Sequence, residues 1–227
     1  MSAGACPPRH HLVWLAPDWA GALRAPVAPS LLAEAERWIA RGRPAVAARR
    51  APGSDAVALG IALPGPRREH DGERRVALVV APGALARVAP PLRLREVIPS
   101  APAAWRARLS ALDAEARAAG LALGVYGSLA WQHLSGEAYV TATSDVDLLV
   151  APHDAATLRS TLGLLRAHAA DRAPPLDGEL LLAGGRAVAW REVLSGAGRL
   201  LVKAGAAVRL EPARAALGAL ADCPGSP

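Results

Sequence analysis

Residues 145–150 read Asp-Val-Asp-Leu-Leu-Val, and no other stretch restricts the fold of this chain so tightly. Two acids alternate with apolar residues and then give way to an unbroken apolar run. A strand has a side-chain period of two, so it places Asp145 and Asp147 on one face and Val146 and Leu148 on the other. The apolar face predicts a sheet with a buried side. The acidic face puts two carboxylates beside each other, an arrangement that repels unless a cation stands between them. Hard divalent cations such as Mg²⁺ take oxygen ligands and share them with substrate phosphates.

A second element lies upstream. Leu121–Tyr126 is a short apolar segment that predicts a strand, and Gly127-Ser128 follows it before the helical stretch Leu-Ala-Trp-Gln-His-Leu-Ser-Gly. Glycine permits a tight turn with outward-facing backbone N–H groups, and the start of a helix adds partial positive charge, so the turn can cradle phosphates. An acid pair alone is more readily a solvated strand face. The pair together with a strand-Gly-Ser-helix unit points to a site for Mg²⁺ and a polyphosphate.

A third carboxylate from a neighbouring strand would complete such a site. Pro-Leu-Asp-Gly-Glu-Leu-Leu-Leu offers Asp177 and Glu179, two apart and able to share a face; Asp177 is preferred slightly and both stay open. Asp177 could instead be a turn residue before Gly178, and Glu179 a charge at a strand edge. Lys203, the only lysine, can reach a phosphate as a point charge or end as a solvated strand residue. Arg186 and Arg191 are candidates for phosphates or for covering the sheet. His133 reads as a packed or surface histidine, no spacing makes His10 and His11 ligands, and Trp131 and Trp190 read as core.

The rest of the chain predicts an α+β protein. His11–Trp14, Val57–Ala62 and Arg75–Val80 have strand composition, and residues 67–75 read as an exposed hairpin loop. Ser30 stands as an N-cap before an amphipathic helix that stops at Gly42. The proline-rich stretch Pro90–Pro102 marks a boundary, which divides the chain into an N-terminal α+β domain over 1–98 and a catalytic domain over 99–227. In the second domain a helix is expected over Ala103–Ala119 and another from about Asp154 to Ala169. A hairpin of Glu179–Leu182 and Ala187–Trp190 is expected around Gly184 and Gly185, and Leu200–Lys203 with Ala207–Leu210 would close the sheet. Tyr139–Thr143 is either strand or loop, and the last fifteen or so residues read as partly disordered. Strands and helices mix without a regular βαβ repeat, which favours a mixed sheet over a doubly wound one.

Composition narrows the classes. The formal charge of +6 permits an anionic partner, but arginine supplies all the basic residues except Lys203, as coding bias would. No run of arginine interleaves with aromatics, so a nucleic-acid partner is not expected. Ala118–Gly136 carries no formal charge, yet glycines, Ser128, Gln132 and His133 interrupt it, so a membrane span is not expected either. The N-terminus lacks a signal-peptide pattern, and the expected location is the cytoplasm. Cys6 and Cys223 lie in terminal segments and imply neither a disulfide framework nor a zinc site.

Gly127-Ser128 with Asp145-Val-Asp147 resembles the signature of the DNA polymerase β-like nucleotidyltransferase superfamily. The longer spacing between these elements, filled by WQHLSGEAYVTAT, together with PRHHLVWL, LDGELLL and GRAVAWRE, resembles a narrower family, MdcG. Its members are phosphoribosyl-dephospho-CoA transferases, the holo-acyl-carrier-protein synthases of malonate decarboxylase. The resemblance implies a triphosphoribosyl-dephospho-CoA donor, a serine acceptor on the apo acyl carrier protein subunit of malonate decarboxylase, and release of pyrophosphate. It also implies Asp145 and Asp147 as the metal-binding catalytic pair and Gly127 and Ser128 as the phosphate turn. An ATP-dependent nucleotidyltransferase acting on a protein, small molecule or RNA carries the same motif. A non-catalytic nucleotide-binding module is a third reading, against which the filled acidic positions stand.

Overall fold

Alternating apolar residues in the N-terminal half assemble an antiparallel sheet. Its elements are β1 (Leu12–Leu15), α1 (Pro29–Ala40), β2 (Ala45–Ala47), β3 (Val57–Ala62), β4 (Arg75–Val80) and β5 (Leu85–Ala89), with strand order β4-β3-β2-β1-β5. Val57, Leu59 and Ile61 of β3 and Val76, Leu78 and Val80 of β4 are buried, so each strand presents one apolar face. α1 packs on β4 and contributes Trp38, whose indole N–H donates to the carbonyl of Pro44 over 2.9 Å. The helix begins with Pro29 in its first turn after Ala28, and neither flanking side chain caps it. Ser30 therefore lies inside the helix rather than at its cap, because proline is already preorganised for the first helical position.

The computed structural model describes residues 6–49, 53–64, 75–169, 173–205 and 207–220. The expected hairpin loop over 67–74, Cys223 and residues 221–227 lie outside them. The chain divides into two compact units. One comprises the residues up to Pro91 with Leu134–Tyr139, and the other comprises Leu92–His133 with the residues from Val140 onward. In the first unit the Tyr139 hydroxyl donates to the carbonyl of Ala62 over 2.9 Å, and Arg43 donates to Glu137 over 2.8 Å.

The second unit carries β6 (Leu92–Arg93), α2 (Leu94–Val97), α3 (Ala103–Ala118), β7 (Gly124–Tyr126), α4 (Gly127–Ser135), β8 (Val146–Val150), α5 (Ala155–Ala169), β9 (Leu176–Leu182), β10 (Arg186–Ala189), α6 (Trp190–Leu194), β11 (Arg199–Ala204), β12 (Ala207–Pro212) and α7 (Ala213–Leu217). Its sheet runs β12-β11-β10-β9-β8-β7-β6, in chain order from one edge to the other. All neighbours are antiparallel except β8 and β9, which are parallel and joined across α5. A parallel pair needs such a crossover, whereas the antiparallel pairs do with short turns.

Leu109 and Leu112 of α3, Leu165 of α5, Leu148 of β8, Leu176 and Leu180 of β9, and Leu200 and Val202 of β11 share one core on one side of the sheet. On the other side stand the acids. The fold is α+β, with helices and mixed sheets. Two local expectations change: the strand before Gly127 is confined to Gly124–Tyr126, and Trp190 opens α6 instead of ending a strand. The stretch Tyr139–Thr143, open between strand and loop, is a loop with a turn. Among the described residues, no helix is long and apolar enough to cross a membrane.

Candidate active site

The site grows out of the parallel pair of β8 and β9. In its register Asp147 of β8 lies opposite Asp177 of β9, and Leu149 lies opposite Glu179. Asp145, the residue before β8, is two positions from Asp147 and shares its side. As a result, Asp145, Asp147 and Asp177 each offer a carboxylate oxygen within 4.8 Å of the others, all three half-buried. At an effective dielectric of about 20, unit charges at that separation repel by roughly 3 kcal/mol per pair. The chemistry of this donor set, three hard anionic oxygens with partial access to water, fits a divalent cation of the Mg²⁺ kind.

The glycine turn touches this cluster. Gly127 has φ +70°, which returns the chain from β7 into α4, and a β-carbon built on it would stand 1.9 Å from Oδ2 of Asp147. The carboxylate rests against a bare α-carbon, so turn and acid form a single surface. Gly178 does a parallel job between the strands. Its φ is +133°, and a β-carbon there would meet the carbonyl oxygen of Leu148 at 1.9 Å. Only glycine lets β9 close on β8 at this point, and that closure sets the distance from Asp147 to Asp177.

Neighbouring side chains hold the acids in place. The Ser144 hydroxyl accepts from the N–H of Thr141 over 2.9 Å, and the N–H of Ser144 donates to the carbonyl of Thr141 over 3.1 Å, closing the turn that presents Asp145. Gln132 of α4 anchors the start of that turn. Its amide oxygen accepts from the N–H of Val140 over 3.0 Å, and its amide nitrogen donates to the carbonyl of Ser100 over 2.6 Å. Arg191 of α6 donates to the carbonyl of Leu176 through Nε over 3.0 Å. It occupies the edge that β10 leaves open beyond Ala189, and its Nε stands 3.8 Å from Oδ1 of Asp177.

The remaining expected residues separate. Glu179 shares the face of Asp177 but is 2% exposed and accepts from Nζ of Lys203 over 2.6 Å, so it is not one of the three clustered acids. Lys203 reaches that face through β11, and its ammonium is engaged by Glu179. Arg186 pairs in register with Leu182 and so points away from the acids. It bonds Glu211 over 2.7 Å on the opposite face. Ser128 is the second residue of α4. His133 holds Ser100 through Nδ1 over 3.0 Å, and Trp190 is fully buried. Tyr126 and Gln132 are additions from the structure. Tyr126 lies opposite Asp147 in the register, and the only sequence signal for either residue is a position next to, or within one turn and a half of, Gly127.

Most of the chain has known relatives. Residues 8–91 match the phosphoribosyl-dephospho-CoA transferase MdcG N-terminal domain, and residues 93–214 match the MdcG C-terminal domain. A curated protein of Xanthomonas campestris pv. campestris (strain 8004) named phosphoribosyl-dephospho-CoA transferase is 41% identical over 208 residues, covering 90% of this chain and 93% of that protein. Proteins with the same name from Bradyrhizobium diazoefficiens and Azotobacter vinelandii are 40% and 34% identical. They cover 87% and 90% of this chain and 86% and 92% of their own lengths. No solved structure matches.

Proposed function

We infer the reaction from a premise the comparisons supply: this chain belongs to the phosphoribosyl-dephospho-CoA transferase (MdcG) family and is a transferase. The proposed donor is 2′-(5″-triphosphoribosyl)-3′-dephospho-CoA, and the proposed acceptor is a serine hydroxyl of the apo acyl carrier protein subunit of malonate decarboxylase. The serine Oγ forms a bond to the α-phosphorus, the bond from that phosphorus to the bridging oxygen breaks, and pyrophosphate leaves. The hydroxyl proton passes to solvent or to a nearby carboxylate. A cytoplasmic location and the absence of nucleic-acid or membrane partners belong to the same reading.

The observation that carries this proposal is the contact of the glycine turn with the acid cluster, with Gly127 bare beneath Asp147 and Asp177 alongside. Asp145, Asp147 and Asp177 would hold Mg²⁺, which when bound neutralises the polyphosphate and makes the acceptor hydroxyl more acidic. The backbone of Gly127 and Ser128 supplies N–H donors to phosphate oxygens, and Arg191 orients Asp177. The chain's own contribution is chiefly positioning and preorganised charge, which is what phosphoryl-type transfer requires. Asp177, not Glu179, is the third acid in this proposal, because the latter is buried and paired.

Incubating the protein with Mg²⁺, apo carrier and either the triphosphoribosyl donor or ATP tests the assignment by intact-protein mass spectrometry. The expected result is a carrier heavier by one phosphoribosyl-dephospho-CoA, with one equivalent of pyrophosphate released to solution and ATP inert. Labelling from ATP alone would replace this reading with a general nucleotidyl transfer.

A further inference from the structure

The sheet face that bears the acids continues past them to an open edge. Register carries the face across: Glu179 opposes Ala189, Ala187 opposes Lys203, Lys203 opposes Val208, and Leu201 opposes Leu210. Directly opposed residues in antiparallel strands share a side. The 2.6 Å bond from Lys203 to Glu179 confirms the parity independently of register. Leu201, Val208 and Leu210 therefore stand on the side of Asp147 and Asp177.

These three are exposed to 39%, 42% and 54%, while their neighbours Leu200 and Val202 are 0% and 1% exposed in the core beneath. Ala216 of α7 packs in that same core, so α7 covers the opposite face and leaves this one open. Arg199 is exposed on the same side, and its guanidinium donates to the carbonyl of Leu210 over 2.9 Å. The result is an apolar strip with a cation at its margin, across the edge strand β12 and its neighbour β11, where exposed apolar side chains invite association.

We propose that the strip of Leu201, Val208 and Leu210, with Arg199 at its margin, is the docking surface for the protein that carries the acceptor serine. The partner surface would be an apolar patch bordered by carboxylates. This rests on the reaction given under Proposed function. Position selects the acceptor over the donor. The turn of Gly127 and Ser128, which takes the polyphosphate, follows β7 on one side of β8, whereas the strip lies beyond β9 on the other. In-line displacement places the attacking and leaving oxygens on opposite sides of phosphorus, so the acceptor arrives from the β9 side.

Scale agrees with this. Strands about 4.8 Å apart put β11 and β12 about 10 and 14 Å from β9. A protein partner covers about 800 Å² of one surface, a disc about 16 Å in radius. An acceptor with its serine at the acids and its body on this side must rest on the strip.

The test compares wild-type enzyme with Leu201→Asp, Leu210→Asp and the milder Leu210→Ser, using apo carrier and the triphosphoribosyl donor. The expected result is a KM for apo carrier raised at least tenfold by the aspartates and severalfold by the serine. The dissociation constant for the donor and the melting temperature stay within twofold and a few degrees. Arg199→Glu is expected to raise the carrier KM as well. A carrier KM unchanged in Leu210→Ser and in the correctly folded aspartate variants overturns the docking surface. So does a tenfold weaker donor with an unchanged carrier KM, which would assign the strip to the donor's arm. Wild-type enzyme that transfers nothing to the carrier overturns the proposed reaction instead, so the two failures are distinguishable.

Discussion

Oδ2 of Asp147 lies only 1.9 Å from where a β-carbon of residue 127 would be, so Gly127 and Asp147 share a space that only a residue without a side chain leaves open. An added methyl group must displace the carboxylate or the turn, and alanine at φ +70° adds about 1 kcal/mol of backbone strain. Gly127→Ala is expected to lower kcat at least a hundredfold while the melting temperature falls by only a few degrees. Initial rates of carrier labelling alongside thermal unfolding check this, and near-normal turnover would show that Asp147 is free to move.

If the three clustered acids hold a cation as proposed, stability depends on metal. A cation that binds only the folded state at a hundred times its dissociation constant stabilises by about 2.7 kcal/mol. Wild-type protein should therefore melt higher in Mg²⁺ or Mn²⁺ than in EDTA. Asp145→Asn, Asp147→Asn and Asp177→Asn should each lose most of that gain and nearly all activity. In EDTA the same variants should be no less stable than wild type, because each removes one of three crowded charges. A metal response retained by Asp177→Asn would remove that residue from the set.

Lys203 and Glu179 make an ion pair in which the carboxylate is buried, their side chains being 25% and 3% exposed. Removing the lysine takes the ammonium partner from a buried carboxylate, which costs about 3 kcal/mol, whereas replacing both partners by apolar residues costs far less. Lys203→Met should therefore be markedly destabilised, and Lys203→Met with Glu179→Leu should recover most of the loss. A denaturant double-mutant cycle reads this directly. Full stability in the single variant would mean that the ion pair adds nothing to the fold.

His11 sets a pH dependence in the N-terminal unit. Burial holds its imidazole below the ordinary value near 6.5, against a backbone hydrogen bond at Arg9 that raises it. Its Nδ1 is buried and has no partner among the described residues. A base whose pKa is depressed by folding is more readily protonated when unfolded, so its contribution is present above the unfolded pKa and lost as pH falls. Wild-type protein is expected to lose stability from pH 7 to pH 5 more steeply than His11→Leu. Parallel melting curves for the two proteins over that range would remove His11 as the cause.

Gln132 bridges the carbonyl of Ser100 and the N–H of Val140. Gln132→Leu frees the turn that presents Asp145, so kcat and metal affinity should fall together, about tenfold, with the KM for donor little changed. Metal titration by calorimetry separates this from a general loss of folding.

Local pattern alone makes part of this protein legible. The alternation in 145–150 places Asp145 and Asp147 together. The strand-Gly-Ser-helix order appears as β7 and α4, and the expected strands over 57–62 and 75–80 are those observed. These features depend on residues within a few positions of one another, where backbone geometry by itself sets which side chains share a face. Between Asp177 and Glu179, two apart on one face, local pattern gives no more than a slight preference for the first. The parallel register across α5 puts Asp177 opposite Asp147 and Glu179 opposite Leu149. Pairing two strands further on delivers Lys203 to Glu179, and one residue of parity turns Arg186 to the other side. Register is a relation between distant segments, set by how the apolar faces pack and by Gly178 admitting the close approach to Leu148. The chain's own alphabet named the acids; only the folded sheet chose which of them meet.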